Sequence, residues 1–396
     1  MVNPLWLPQE LIDTIVDELD DTPCLTVCSR AAKAFVVPCQ RRIFHTMVLL
    51  SEESGYTKTY QRAWDLLSSA PHLVAYVRDL TAVWPIVATD RRPFVSVLRL
   101  LTNVRRFTIS TDGQYTNWDG EENLMSAILA VISLPFLDRL HILRVFGVPS
   151  SLICHAASSV RVLSLDPCPS SGTLGTHSPP PSTIPPPLEH LNLLSSRSTH
   201  HIGQLVLMLS ANGHLRKIRH LAITLGGDVY DEPENVLASV SATLRHLEIN
   251  YPGRHEAIRI PQLNLLQNLE LSFYVGTSRT LPQDLYHIIS NLPELTPILE
   301  SFTLTIRMIP QMQEPPWAPA GAWPVFDVGF IERGALPRLR NVTCCLHHII
   351  DYFHASGISY DGFVATMSDK LNGLIGTDML RFTQRNSSYR VEDNLP

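Results

Sequence analysis

The chain has 396 residues, of which 45% are hydrophobic and 17% charged, and its formal net charge is −6. A single compact core is rare beyond roughly 250–300 residues, so the length predicts several domains or an extended repeat. The hydrophobic fraction excludes wholesale disorder, and the acidic charge gives no electrostatic reason to expect a nucleic-acid partner.

The cellular compartment is indicated by three features of the sequence. The first residues, MVNPLWLPQE, lack the basic and apolar regions of a signal peptide. The longest apolar stretch, Leu124–Leu137, is too short to cross a bilayer. Seven scattered cysteines without paired spacing indicate reduced thiols. We therefore expect a cytoplasmic or nuclear protein without a membrane partner.

Residues 1–47 predict a small helical domain. Pro8 suits a first helical turn, and the apolar residues that follow it predict an amphipathic helix over Pro8–Leu19. The acidic turn before Pro23 ends that helix. A second apolar set predicts another helix up to Phe35, and Pro38 breaks the chain before a last short helix over Gln40–Phe44.

This order of elements resembles the F-box. The match is carried by Leu7, Pro8, Glu10, Leu11, Ile15, Leu19, Leu25, Cys28, Phe35, Pro38 and Phe44. The sequence departs from the family where Arg30 and Ala31 replace the leucine and valine of its Ser-Leu-Val triplet. The resemblance implies that an adaptor of the Skp family, and through it a cullin, binds this domain. The implied adaptor contacts are Leu7, Pro8, Leu11, Ile15 and Leu25.

A linker over residues 48–75 follows, with a helix predicted at Tyr60–Ala70, and then one motif repeats over residues 76–350. Its form is L-x-x-L-x-L, as in LRHLEI at Leu244–Ile249, and the copies lie 22 to 40 residues apart. The last two apolar positions alternate as in a strand with one buried face. The fourth positions of the ten copies are Leu80, Phe107, Leu140, Leu163, Leu191, Leu221, Leu247, Leu269, Phe302 and Val342.

Helical periodicity between these strands predicts an α/β fold with a parallel sheet. The predicted return helices are Phe94–Leu101, Leu124–Ser133, Ile202–Leu209, Asn235–Val240 and Leu285–Asn291. Strand repeats at this spacing resemble an irregular leucine-rich-repeat protein. The resemblance implies a horseshoe-shaped solenoid with its parallel strands on the concave face.

Three segments depart from the repeat. The proline-rich stretches 167–187 and 310–324 predict exposed loops, either as tolerated insertions or as docking segments for a partner. Residues 351–396 predict a C-terminal cap, with a helical face containing Phe363, Met367, Leu371, Leu374 and Ile375, and a polar tail from Arg385.

The third and fifth motif positions point away from the leucines and are predicted to line the concave face. Its polar residues form a candidate partner-binding stripe composed of Arg106, Arg139, His190, His220, His246, Glu248 and Glu270. The alternative is that these residues simply suit exposed strand positions.

No catalytic motif is present, and we expect no enzyme activity, cofactor or metal. The one cluster with metal-ligand residue types, Cys344-Cys345-Leu346-His347-His348, is predicted to divide between two sheet faces, with Cys345 and His347 pointing out.

Together the two resemblances imply a substrate-recognition subunit of a Skp–cullin–F-box type ubiquitin ligase, which would hold an unknown protein substrate on its repeats. The alternative is a non-catalytic leucine-rich-repeat scaffold in which Arg30 and Ala31 have weakened or abolished adaptor binding.

Overall fold

A computed structural model describes most of the chain in two compact units. The first unit is Met1–Leu163 with Ser170–Gly175, and the second is Ser164–Pro169 with Thr176–Pro396. Both contain helices and parallel strands, which confirms the mixed α/β class. The described residues are 7–50, 59–85, 88–111, 116–118, 121–166, 168–169, 188–194, 200–224, 232–251, 259–275, 283–308, 336–350, 360–371 and 378–388.

Three helices open the first unit: α1 (Gln9–Asp17), α2 (Thr22–Ala31) and α3 (Lys33–Ile43). The carboxylate of Asp21 caps α2 by accepting a hydrogen bond from the backbone N–H of Cys24 at 3.3 Å. The buried residues Val16, Leu25 and Cys39 form the core of the three helices. Packed against them are Leu19, Cys28, Phe35 and Ile43.

The predicted break at Pro38 is wrong, because α3 continues through it to Ile43. Proline inside a helix removes one backbone hydrogen bond. Here Pro38 and its neighbour Cys39 are both buried, and this packing offsets the lost bond. The predicted short helix at Gln40–Phe44 is therefore the end of α3.

Parallel strands form the sheet of the first unit. In spatial order they are β1 (Thr46–Leu49), β2 (Asp79–Val83), β3 (Arg106–Ser110) and β5 (Arg139–Ile142). A separate parallel pair joins β4 (Thr116–Asn117) to β6 (Val145–Val148). The helices are α4 (Thr59–Ser69), α5 (Ala88–Leu100), α6 (Glu122–Ile132) and α7 (Ser150–Ser159), with a 3-10 turn at Pro71–Tyr76. The boundary between the units falls inside β7 (Val162–Leu165).

The second unit has a longer parallel sheet. After the short β8 (Cys168–Pro169) its strands, in spatial order, are β9 (His190–Leu194), β10 (His220–Thr224), β11 (His246–Tyr251), β12 (Asn268–Val275), β13 (Ser301–Met308), β14 (Asn341–Ile350) and β15 (Leu380–Ser388). Its helices are α8 (His200–Ala211), α9 (Glu232–Val240), α10 (Gln283–Leu295) and α11 (Tyr360–Lys370), with a 3-10 turn at His214–Lys217.

All ten predicted strands are present, and the fourth-position side chain of every motif is at most 1% exposed. The five predicted return helices are also confirmed, although α7 was not predicted. The motifs share a backbone pattern, in which the second-position carbonyl accepts two N–H groups from the next motif. The carbonyl of Arg219, for example, accepts from Arg245 at 2.8 Å and from His246 at 2.9 Å.

Five described strands were not predicted, namely the short β4, β6 and β8 and the two longer strands β1 and β15. Strand β1 belongs to a complete motif, FHTMVL at Phe44–Leu49, whose first residue also ends the F-box resemblance. Strand β15 follows Thr377, a polar residue at the first motif position, and retains apolar residues only at Leu380 and Phe382.

Strand β15 also corrects the prediction for residues 351–396, which do not leave the repeat pattern entirely. Leu380–Ser388 pairs in parallel with β14, so Arg385 is part of a strand and not of a frayed tail. Phe363, Met367 and Leu371 are buried, as a capping helix requires. Leu374, Ile375 and the predicted loops 167–187 (apart from Cys168–Pro169) and 310–324 lie outside the described residues.

Candidate partner-binding surfaces

The N-terminal helices expose large apolar side chains. Leu7, Leu11 and Ile15 are 51%, 50% and 44% exposed, and the predicted contact Pro8 is also exposed. Leu11 and Ile15 lie four residues apart on α1, which places them on one helical face. Ile12 and Val16 occupy the buried face of the same helix. The apolar residues predicted to share one face therefore divide between the core and the surface.

Leu25 does not belong to this exposed surface. Its side chain is only 4% exposed and lies in the core of the three helices with Val16 and Cys39. The resemblance to the F-box includes Leu25, but it cannot distinguish a residue of the helical core from a residue that contacts the adaptor. Its predicted role as a direct adaptor contact is therefore wrong, and its role is to hold α2 against its neighbours.

Arg30 and Ala31, where the sequence differs from the F-box pattern, do not disturb the helical core. Both residues are exposed at the end of α2, and the buried residue of that helix is Leu25. Any effect of Arg30 and Ala31 on adaptor binding would therefore act at the surface and not through the packing of the three helices.

A pocket of about 520 Å³ in the first unit contains the predicted residues Arg106 and Arg139. We call it the arginine pocket. Its lining is basic, with five arginines against two aspartates. The lining residues are His45, Arg78, Asp79, Arg105, Arg106, Phe136, Asp138, Arg139 and Arg161. This local excess of positive charge contrasts with the net charge of −6 of the whole chain.

Neighbouring strands build the arginine pocket from equivalent positions. His45, Arg78, Arg105, Asp138 and Arg161 all occupy the second position of their motifs. Asp79, Arg106 and Arg139 occupy the third position and are direct neighbours in the sheet register. Adjacent strands lie about 4.8 Å apart, so parallel pairing stacks these side chains in two rows.

Within the pocket, Asp138 forms ion pairs with two arginines. Its carboxylate accepts two hydrogen bonds from Arg161, from Nε at 2.9 Å and from Nη2 at 3.1 Å. Arg139 lies 3.6 Å from the same carboxylate. The hydrogen bond from Arg161 and the two positive charges lower the pKa of Asp138, although its partial burial opposes them. The pocket thus contains one bidentate pair between a guanidinium and a carboxylate of its own lining.

The positive charge of the pocket also reaches the strand interior. His141 follows Arg139 by two residues and is 2% exposed. Burial, followed by the charges of Arg106 and Arg139, lowers its pKa to about 4. His141 is therefore a neutral imidazole near pH 7.

In the second unit, the three predicted histidines stack on one another. The ring centroids of His190 and His220 are 5.1 Å apart, and those of His220 and His246 are 4.1 Å apart with nearly parallel planes. The register places the three residues directly opposite one another. Burial and the two neighbouring imidazoles lower the pKa of His220 to about 4, so this central imidazole is uncharged near pH 7.

A polar cluster continues from the histidine stack. Glu248 and Glu270 are paired in register on β11 and β12. The Nδ2 group of Asn250 donates to Glu248 at 2.9 Å, and the Thr305 hydroxyl donates to Glu270 at 3.2 Å. Arg307 Nη2 donates to the side-chain oxygen Oδ1 of Asn250 at 3.0 Å. Burial and the nearby Glu248 carboxylate raise the pKa of Glu270.

The fifth motif position is less accessible than predicted. Buried side chains at that position are Thr108, His141, Ser164, Asn192 and Ala222. Side chains at this position contact one another across neighbouring strands, as where Asn192 donates a hydrogen bond to the Ser164 hydroxyl at 2.9 Å. Cys345 and His347 likewise point away from the leucines but are buried, so the prediction that they face out toward solvent is wrong.

The predicted stripe therefore consists of two groups in different units. Arg106 and Arg139 belong to the arginine pocket, whereas the histidine stack, Glu248 and Glu270 belong to the second unit. The stripe missed Arg78, Arg105 and Arg161, because it used only the third and fifth motif positions. The recurrence of arginine at the second position was visible in the sequence and could have identified them.

Within the described ranges, no group of three or more histidine, cysteine or carboxylate side chains is arranged to hold a metal ion. Within the same ranges, no helix has the length and apolar character needed to cross a bilayer. No protein-family model and no curated protein sequence matches this chain.

Proposed function

We propose that this chain is the substrate-recognition subunit of a Skp–cullin–F-box type ubiquitin ligase and that it catalyses no reaction itself. The observation that carries the proposal is the exposed apolar face of the N-terminal helices. These helices have a small core of their own, yet Leu7, Leu11 and Ile15 remain about half exposed. Large apolar side chains exposed together on one face are typical of sites that bind another protein.

In this proposal, an adaptor of the Skp family covers Leu7, Pro8, Leu11 and Ile15, and a cullin joins the complex through the adaptor. Residues 1–47 act as the F-box, and residues 76–350 as irregular leucine-rich repeats that hold a protein substrate. The in-register parallel strands with their buried fourth positions support the repeat assignment. The ligase works by proximity, because holding the substrate beside the ubiquitin-loaded enzyme raises its effective concentration. Such a complex acts in the cytoplasm or nucleus.

A scaffold without an adaptor is the second candidate. The observation that favours it is the exposed guanidinium of Arg30, which stands where the F-box pattern has leucine. A charge within an apolar interface is costly unless a partner pairs with it. The scaffold retains the substrate-binding repeats but forms no ligase complex.

Co-purification of the full chain with a Skp-family adaptor distinguishes the two functions. We expect the wild-type chain to retain the adaptor stoichiometrically and the Pro8→Ala, Leu11→Ala double variant to lose at least tenfold in affinity. Leu66→Ala, Leu265→Ala is the matched control, since these exposed leucines lie outside the N-terminal helices. A folded wild-type chain that retains no adaptor would leave only the scaffold, and an equal loss in the control would refute the proposed contact surface.

A further inference from the structure

The charge of the arginine pocket favours an anionic ligand. The pocket's five guanidinium groups lie at the N-terminal ends of four strands, β2, β3, β5 and β7. They belong to Arg78, Arg105, Arg106, Arg139 and Arg161. Arg105, Arg106 and Arg161 are exposed, so a ligand can approach them from solvent. Two of the described ion pairs lie within the pocket. Both use the carboxylate of Asp138, which pairs with Arg139 and with Arg161.

The size and lining of the pocket favour a peptide segment over a single ion. A volume of about 520 Å³ lies within the range of roughly 300–1,000 Å³ that accommodates organic ligands. Phe136, which is 56% exposed, provides an apolar surface against which the aliphatic part of a side chain can pack. The remaining lining is polar or charged, which suits an extended segment with several acidic groups.

The geometry around Asp138 indicates which acidic group the pocket accepts. Arg161 holds this carboxylate through two parallel hydrogen bonds, the arrangement in which guanidinium recognises carboxylates. Arg105 and Arg106 follow in the same two rows, one strand away, with their guanidinium groups exposed. A further carboxylate placed beside them would repeat the arrangement seen at Asp138.

Nucleic acid fits the pocket less well. Non-specific binding of single strands combines a long basic groove with several aromatic stacking platforms. The arginine pocket offers Phe136 and the imidazole of His45 as its aromatic groups, and the net charge of the whole chain is negative.

We propose that the arginine pocket binds an acidic segment of a partner protein through the carboxylates of aspartate or glutamate side chains. Arg105 and Arg106 are the principal contacts, and Arg78 and Arg139 flank them. This inference deepens the proposed function, on which it rests for the claim that the ligand is a protein. Binding of an isolated peptide requires no adaptor, so the two claims can fail separately.

Fluorescence anisotropy with the full chain tests the proposal. The probe is a fluorescein-labelled twelve-residue peptide in which glutamate alternates with serine or glycine, measured at physiological ionic strength. The reference peptide has glutamine at every glutamate position. We expect the glutamate peptide to bind at least tenfold more tightly than the glutamine peptide.

Paired variants separate the pocket from general electrostatic attraction. Arg105→Gln, Arg106→Gln is expected to weaken binding of the glutamate peptide at least tenfold. Arg245→Gln, Arg340→Gln removes the same charge from exposed second-position arginines of the second unit, and we expect its affinity to stay within twofold of the wild type. All four substitutions are at exposed residues, and unchanged thermal melting confirms folding.

Several results would overturn the proposal. These are no saturable binding of the glutamate peptide, equal binding of the glutamine peptide, or equal losses in the two double variants. A phosphoserine version of the peptide that binds a hundredfold more tightly would make phosphate the recognised group. Tighter binding of a single-stranded oligonucleotide, lost in the Arg105→Gln, Arg106→Gln variant, would make nucleic acid the occupant. Adaptor co-purification is expected to remain normal in both double variants.

Discussion

The two units use the same motif positions for different chemistry. In the first unit, the second and third positions of neighbouring strands line an open pocket rich in arginine. In the second unit, third positions carry stacked imidazoles, and the fifth positions of β11 and β12 carry carboxylates that accept hydrogen bonds from amide and hydroxyl groups. Parallel pairing brings equivalent residues side by side in both cases. The apolar positions therefore determine the fold, while the intervening positions determine whether a surface presents charge to a ligand or satisfies its own polar groups.

Removing one fourth-position leucine from each unit has the largest expected effect. Leu140 and Leu247 are fully buried on β5 and β11. Replacement of either by alanine removes buried methyl groups and leaves a cavity, which costs about 2–5 kcal/mol of unfolding free energy. Urea denaturation followed by circular dichroism measures the loss.

The exposed substitution Arg245→Ala serves as the control and should change stability by less than about 0.5 kcal/mol. Similar losses in both leucine variants would confirm that the cores of the two units are equivalent. A loss below about 1 kcal/mol in either variant would contradict the assignment of that leucine to a packed core.

Lowering the pH from 7 to 5 is expected to destabilise the chain by a smaller amount. The folded pKa values of His141 and His220 are about 4, against an ordinary value of 6.5. As the pH falls below 6.5, the unfolded chain binds protons at these residues while the folded chain does not. The stability they contribute is therefore present above pH 6.5 and is lost as the pH falls toward 4, on the order of 1–2 kcal/mol per histidine by pH 5.

Nuclear magnetic resonance titration of the histidine side chains measures how far the arginine pocket influences each unit. In the double variant Arg106→Gln, Arg139→Gln, the pKa of His141 should rise, because two nearby positive charges are removed. The pKa of His220 should not change, because its causes are burial and the neighbouring His190 and His246. An unchanged pKa of His141 in this variant would show that Arg106 and Arg139 do not influence the strand interior.

Much of the fold could be predicted from apolar spacing alone. Every predicted motif forms a strand because positions 4 and 6 alternate in the same way in each copy, as at Leu247 and Ile249. Strand β1 was missed because Phe44 fits two patterns at once, the end of the F-box and the start of a motif. Strand β15 was missed because its motif begins with Thr377 in place of an apolar residue.

The candidate surfaces could be predicted only in part. Strand alternation identifies which side chains share a face, and it correctly placed the histidines in one row. It does not reveal how far neighbouring side chains cover that face, so the burial of His141 and Asn192 was not foreseen. The resemblance to the F-box likewise cannot distinguish the buried Leu25 from the exposed Leu11, because both residues are part of the matching pattern.

The measurement that tests the proposed function most directly is hydrogen exchange of the full chain with and without a Skp-family adaptor. If the chain is a substrate receptor, we expect the adaptor to slow exchange from Leu7 to the end of α1. Exchange around the arginine pocket, at residues 105–106 and 138–139, should not change. Absence of protection at α1 in the presence of saturating adaptor, or protection confined to the strands, would contradict the account.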